Sequence, residues 1–296
     1  MTRWLTLTLA AVLAVLAVLA VPVAPVAGPT VDAAGFRTRI EVVGDLATAR
    51  RVAVIVPGVG TTADNFDHGL GGVRRRSPAW QARQLYAAAG GARSRIAVVA
   101  WLGYQPPSGV GIAAARSERA IEGARALRRY LRGLPGKVVL IGHSYGSLVL
   151  AYAARRLPRN VTDLIVLGSP GLDVDSADQL GDDATLWAGQ AADDWTRRLP
   201  PWRILGFGHG ANPAAAGFGA RPLDVTAAHG HDGYFAARPV RSLAAVVAGY
   251  AARPRLVAAP TGRGRRRPAV HPAPAVRLRP LAGSLSAAAA APARTW

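Results

Sequence analysis

Four short apolar runs rich in β-branched residues constrain this chain more than any other feature. Val52-Ala53-Val54-Ile55-Val56 is stopped by Pro57-Gly58, and Ile96-Ala97-Val98-Val99-Ala100-Trp101 is the second. Val138-Val139-Leu140-Ile141 before Gly142 and Leu164-Ile165-Val166-Leu167 before Gly168 are the third and fourth, with Thr185-Leu186-Trp187 a weaker fifth. Runs that are apolar at every position, rather than at alternate ones, suit strands buried on both faces, as in a parallel sheet. Residues 79–89, 113–132 and 147–157 between them read as helices. In the second, Ile112, Ala120, Leu127 and Leu131 face one way and Arg116, Arg119 and Arg128 the other. Strand and helix alternating at this spacing predict a doubly wound, mostly parallel α/β sheet.

That pattern occupies residues 35–251, a domain long enough to bury a large core. Before it, Arg3 precedes an apolar stretch over residues 5–21, closed by Pro22 and Pro25 and followed by small residues. A positive start, apolar middle and small-residue exit over residues 1–34 predict a signal peptide or a retained N-terminal anchor, hence a secreted or extracytoplasmic protein. After it, residues 252–296 carry seven prolines, an Ala287–Ala291 run and no acid, a composition that predicts a disordered basic tail.

The net charge of +19 needs dissection before it suggests nucleic acid. Lys137 is the only lysine, and nine arginines lie beyond residue 250, so nearly half of the charge sits in the tail. No nucleic-acid motif accompanies it; the tail is read as a surface arm able to meet an anionic cell envelope. The absence of cysteine excludes a disulfide scaffold, a thiol nucleophile and a cysteine zinc site. The acidic loop Asp173, Asp175, Asp178, Asp182, Asp183 fits no calcium loop and is read as solvated. Neither metal nor cofactor is expected.

The chemistry concentrates where the third strand ends. Gly142-His143-Ser144-Tyr145-Gly146 lies between a buried strand and a helix, the context that makes Gly-x-Ser-x-Gly a nucleophile elbow lifting the serine hydroxyl above the sheet. A serine hydroxyl needs a base, and the base an orienting acid, in the chain order Ser, Asp or Glu, His. Of the later histidines, His271 falls in the tail, and His209 and His229 read as surface-loop residues. His231 sits in a Gly-flanked loop just before the last helix, 240–251, and is taken as the base. The acid should follow the strand at 185–188, where Asp193 and Asp194 both qualify. Pro57-Gly58-Val59-Gly60 after the first strand supplies the second half of an oxyanion hole, with the amides of Val59 and Tyr145 as donors. Trp101 and Tyr104 follow the second strand at the carboxyl edge and are read as substrate-binding residues.

Taken in order, Val56-Pro57-Gly58-Val59-Gly60-Thr61-Thr62, Ala100-Trp101-Leu102-Gly103-Tyr104, the elbow, Gly168-Ser169-Pro170-Gly171 and Gly230-His231-Asp232-Gly233-Tyr234-Phe235 resemble an actinobacterial α/β-hydrolase-fold family of unassigned substrate. The resemblance spans about residues 40–250. It implies the α/β-hydrolase fold and a Ser-Asp-His triad, and it names no substrate. Its members carry Asp-Pro-Ile or Asp-Trp-Ile at the acid position. Asp194-Trp195-Thr196 matches the latter except at Thr196, which favours Asp194.

The resulting expectation is an exported serine hydrolase acting on a small-molecule ester, or an amide, through an acyl-enzyme on Ser144, Asp194 and His231. Two other readings fit the same residues: an acyltransferase serving a cell-envelope alcohol, and a non-catalytic envelope-binding module with a vestigial triad. The short connection between the fourth and fifth strands predicts no large cap domain and an open, modest site. Oligomeric state is not legible. Removing residues 253–296 is expected to leave kcat/KM within about threefold, since that segment has no core to contribute; assay of the truncated chain checks this.

Overall fold

The computed structural model describes residues 30–31 and 35–250. The rest of the expected N-terminal segment and the expected tail lie outside the described residues. In chain order the elements are β1 (Thr30–Val31), β2 (Arg37–Val43), β3 (Arg51–Val56), α1 (Pro78–Ala88), β4 (Ile96–Leu102), α2 (Glu118–Leu131), β5 (Lys137–His143), α3 (Gly146–Ala154), β6 (Val161–Leu167), β7 (Thr185–Gly189), β8 (Arg221–Pro222) and α4 (Val240–Ala248). They build one sheet in the order β1-β2-β4-β3-β5-β6-β7-β8. The pairs from β4 through β8 are parallel, and β2 joins β4 antiparallel.

The uninterrupted apolar runs have a direct cause in this layering. Along β3, Val52, Val54 and Val56 enter one core with Leu127 and Leu131 of α2 and Leu148 and Val149 of α3. Ala53 and Ile55 enter the opposite core with Ala82 and Leu85 of α1 and Leu243 and Val247 of α4. With helices on both faces, every position of a central strand is withdrawn from water, so none can be polar. The chain leaves β3 for β4 on one side and returns to β5 on the other. That reversal opens a crevice at the carboxyl edge of β3 and β5, where sites form in such sheets.

Local signals set most helix ends. Ser77 caps α1, its hydroxyl accepting from the Trp80 amide at 3.0 Å, and Pro78 occupies the first turn. Gly249, at φ 78°, ends α4 three residues before the expected limit. The helix expected over 113–132 is instead broken. A single 3-10 turn spans Ile112–Ala115, Arg116 is extended at φ −116° and ψ 162°, and α2 begins at Glu118. Tertiary hydrogen bonds capture the break: the Arg116 carbonyl accepts from Tyr145 Oη at 2.6 Å, and Ser117 Oγ donates to Asp173. Ile112, expected on the buried face, is consequently 73% exposed.

Candidate active site

The expected elbow turns between β5 and α3. Ser144 has φ 54°, a left-handed conformation that non-glycine residues rarely hold and that strained functional turns retain. Its amide donates to the Leu167 carbonyl at 2.9 Å, tying the turn to β6. Behind it, α3 directs its amino end at the serine, which favours developing negative charge there. The loop after β3 lies against this turn: a methyl group added at Gly58 would come within 2.8 Å of Ser144 Cβ and 2.9 Å of the His143 carbonyl. Only glycine allows that approach. Among the described residues neither the Val59 nor the Tyr145 amide donates to a protein acceptor, and both residues line the same cleft as Ser144.

The loops after β7 and before α4 bring Asp194 and His231 together. His231 Nδ1 lies 2.9 and 3.0 Å from the two carboxylate oxygens of Asp194. A carboxylate only accepts, so Nδ1 carries the hydrogen, and among the described residues Nε2 has no partner. The Asp194 side chain is fully buried. Burial opposes its ionisation, but hydrogen bonds from His231, Tyr234 and Thr196 outweigh that cost and hold its carboxyl well below the usual carboxylate range. Thr196 donates both its amide and its hydroxyl to Asp194 Oδ1, at 2.9 and 2.8 Å, and Tyr234 Oη donates to Oδ2. Burial, with Asp194 beside it, pushes the Tyr234 phenol up, so it remains a donor. Gly168, at φ 53°, makes room for the pair; a Cβ there would sit 2.6 Å from Asp194 Oδ2. Asp193, the competing acid, is largely exposed and accepts from the Gly230 amide at 2.8 Å.

Three expectations need correction. Trp101 and Tyr104 do not line the cleft; both are buried in the core, stacked at 6.1 Å between ring centroids. Strand β4 runs through Leu102, so Trp101 still belongs to the buried sheet, and Tyr104 instead steadies the loop after β3 by donating to the Pro57 carbonyl at 2.7 Å. His209 is not a surface residue: it is buried, its Nδ1 3.0 Å from Asp173 and its Nε2–H donating to the Ala114 carbonyl at 2.7 Å. Asp173 is likewise buried rather than solvated, accepting also from Tyr152 Oη and Ser117. This second His-Asp pair ties segment 110–117 to the long connection between β7 and β8. Those two segments wall a cleft of about 630 Å³. The connection between β6 and β7 holds no cap, as expected, but the next connection supplies cover that length counting missed.

A sequence profile described as alpha/beta hydrolase matches residues 32–203, more than half of the chain. The chain belongs to the α/β-hydrolase family. Among the relatives of this α/β-hydrolase, a protein of Mycobacterium bovis is 32% identical over 150 residues, which cover 47% of this chain and 54% of that one. A longer protein of Mycobacterium tuberculosis is 26% identical over 249 residues, covering 70% of this chain and 36% of its own. The chain thus spans about half the length, or less, of these mycobacterial relatives. Among solved structures, an esterase of the hyperthermophilic archaeon Pyrobaculum calidifontis aligns with a TM-score of 0.47 at 15% identity, covering 81% of this chain and 90% of the esterase. A Xanthomonas campestris serine hydrolase without lid gives 0.41 at 15% identity, over 79% and 100% of the two chains.

Two residues of the hydrolase site lay inside quoted motifs without a role. Tyr234 belongs to the His231 motif, and Thr196, noted only as a departure, turns out to bond Asp194. His143, the variable position of the elbow, donates from Nε2 to the His231 carbonyl at 2.7 Å. Burial first, and then repulsion from His231, push its pKa down from 6.5 to about 4. The unfolded chain therefore takes up this proton near the ordinary value and the folded chain only near 4. The stability from neutral His143 is full above 6.5 and erodes as pH falls through that window, by on the order of 3 kcal/mol. His143→Gln, which keeps a donor but cannot titrate, is expected to flatten the fall of Tm between those pH values. Parallel Tm curves for the two proteins would refute this.

Proposed function

We propose that the protein is an exported serine hydrolase that cleaves a carboxylic ester through an acyl-enzyme. The observation that carries this reading is the buried Asp194–His231 pair, whose base shares one cleft with Ser144. With Nδ1 engaged by Asp194, His231 Nε2 is the proton acceptor. Ser144 Oγ attacks the ester carbonyl as Nε2 takes its proton, and the carbonyl oxygen gains negative charge. The Val59 and Tyr145 amides, fixed and otherwise unpaired, receive that charge. His231 then returns the proton to the leaving alcohol, and water, activated by the same nitrogen, releases the acid. The adjacent Asp194 stabilises the imidazolium that forms in each half-reaction. Export rests on residues 1–34, where a charged start, an apolar run and small residues follow one another.

A fluorophosphonate probe tests the reading. It is expected to label the intact protein at Ser144, found by peptide mapping, and to leave Ser144→Ala unlabelled. An unlabelled wild-type protein that is folded by circular dichroism would overturn the proposal and favour the non-catalytic reading.

A further inference from the structure

Exposed apolar side chains are not scattered over this domain. Among the described residues ten large hydrophobic side chains are exposed, and nine sit on three segments around the cleft mouth. Leu70 is on the first, Val110 and Ile112 are on the second, and the other six lie between Trp195 and Phe207. Six of the nine line the cleft itself. An apolar rim continuous with an apolar cleft marks a surface that meets something apolar.

The last segment is built as a rigid finger. Ile204 and Phe207 exchange backbone hydrogen bonds, each of 2.9 Å, across a two-residue turn. Leu205 and Gly206 hold φ 51° and 81° there, the positive values of a type I′ turn. Such a turn favours asparagine or aspartate at its first position and disfavours leucine. Yet Leu205 stands at the tip, 93% exposed. The finger is braced from below: the Gly208 amide donates to the Ala115 carbonyl at 3.0 Å, and the Arg116 guanidinium lies 5.2 Å over the Phe207 ring. Cations lie on the same segments as the apolar rim. Arg197 and Arg198, between Trp195 and Leu199, and Arg74, four residues after Leu70, are exposed and make no ion pair among the described residues. An apolar tip, strained against its own backbone preference, with unpaired arginines on the segments that frame the cleft, matches the two layers of an anionic lipid surface: hydrocarbon below, phosphate above.

We propose that the cleft mouth docks on an anionic lipid bilayer, with Leu205 entering the acyl layer, and that the ester taken from it carries a long acyl chain or an equally apolar alcohol. The substrate half rests on the hydrolase reading above; the docking half does not. Because the chain has no cysteine, Leu205→Cys and Arg159→Cys, the latter just before β6 at the opposite edge of the sheet, each take a single polarity-sensitive dye in the full chain. Vesicles of equal phosphatidylglycerol and phosphatidylcholine are expected to shift the dye at 205 to the blue and raise its emission by about twofold or more, leaving the dye at 159 unchanged. In the unlabelled chain, Leu205→Asn gives the turn its preferred residue. It is expected to raise Tm while lowering vesicle partitioning by about tenfold. No shift at 205, or an equal shift with pure phosphatidylcholine, overturns the proposal. So does a blue-shifted dye without vesicles: if it grows with protein concentration, a second copy covers the finger, and if it does not, another segment of the chain does. Vesicle docking by a protein that resists the fluorophosphonate would retain this surface and remove the hydrolase reading, so the two failures are distinct.

Discussion

Ser144→Ala is expected to lower kcat/KM for short p-nitrophenyl esters by about 10³-fold or more with the fold unchanged. The variant removes the oxygen proposed to attack and nothing that holds the domain together. Ser144 bonds to β6 through its amide, and its carbonyl accepts from the Ser147 amide and hydroxyl at 3.0 and 2.6 Å. Alanine keeps all three backbone bonds. It also preserves the neighbouring Val59 and Tyr145 amides, so residual binding of substrate is expected and the loss should fall on kcat. A purified variant with wild-type Tm and wild-type turnover would remove Ser144 from the chemistry.

The second large effect separates two adjacent carboxylates. Asp194→Asn should lower kcat by up to about 10⁴-fold, because an amide offers His231 a donor as well as an acceptor and so stabilises the imidazole with its hydrogen on the wrong nitrogen. Thr196 and Tyr234 sharpen this expectation. Both donate to Asp194, so an asparagine there would turn its NH₂ toward the Thr196 amide and hydroxyl one way and toward the Tyr234 hydroxyl the other. Asp193→Asn should leave kcat within about threefold, since Asp193 is largely exposed and, among the described residues, meets only the Gly230 amide and the exposed His229. Activity of both variants on one ester, measured beside their Tm values, decides the matter. An inactive Asp193→Asn beside an active Asp194→Asn would reverse the assignment.

The parallel sheet and the strand-to-helix turn at Ser144 were legible because each rests on neighbours in the chain. A strand buried on both faces must be apolar at every position, and a strand that ends in Gly-x-Ser-x-Gly before a helix has few ways to turn. The antiparallel strand β2, between β1 and β4, escaped notice because its Arg37-Thr38-Arg39-Ile40-Glu41 portion mixes charged, polar and apolar residues at mostly half-buried positions and carries no continuous run. The two-residue strand β8 is too short to leave any pattern. Trp101 and Tyr104 went to the core because the sheet extends one residue further than the run suggested, a matter of packing.

What lay beyond the sequence shares one physical cause: each feature joins groups far apart along the chain. Asp194 meets His231 across 37 residues and Tyr234 across 40, and no local preference separates it from Asp193. The bonds that break the expected helix at Arg116 come from Tyr145 and Asp173, 29 and 56 residues away. His209 and Asp173, each a plausible surface residue by its neighbours, are buried because two cleft walls close over them. The sequence by itself determined the layered sheet and the turn that presents Ser144, since backbone sterics and burial are local or periodic. The tertiary structure decided which carboxylate pairs with His231, what roofs the cleft and where the apolar finger stands, because hydrogen bonds and exclusion of water act on whatever packing brings together.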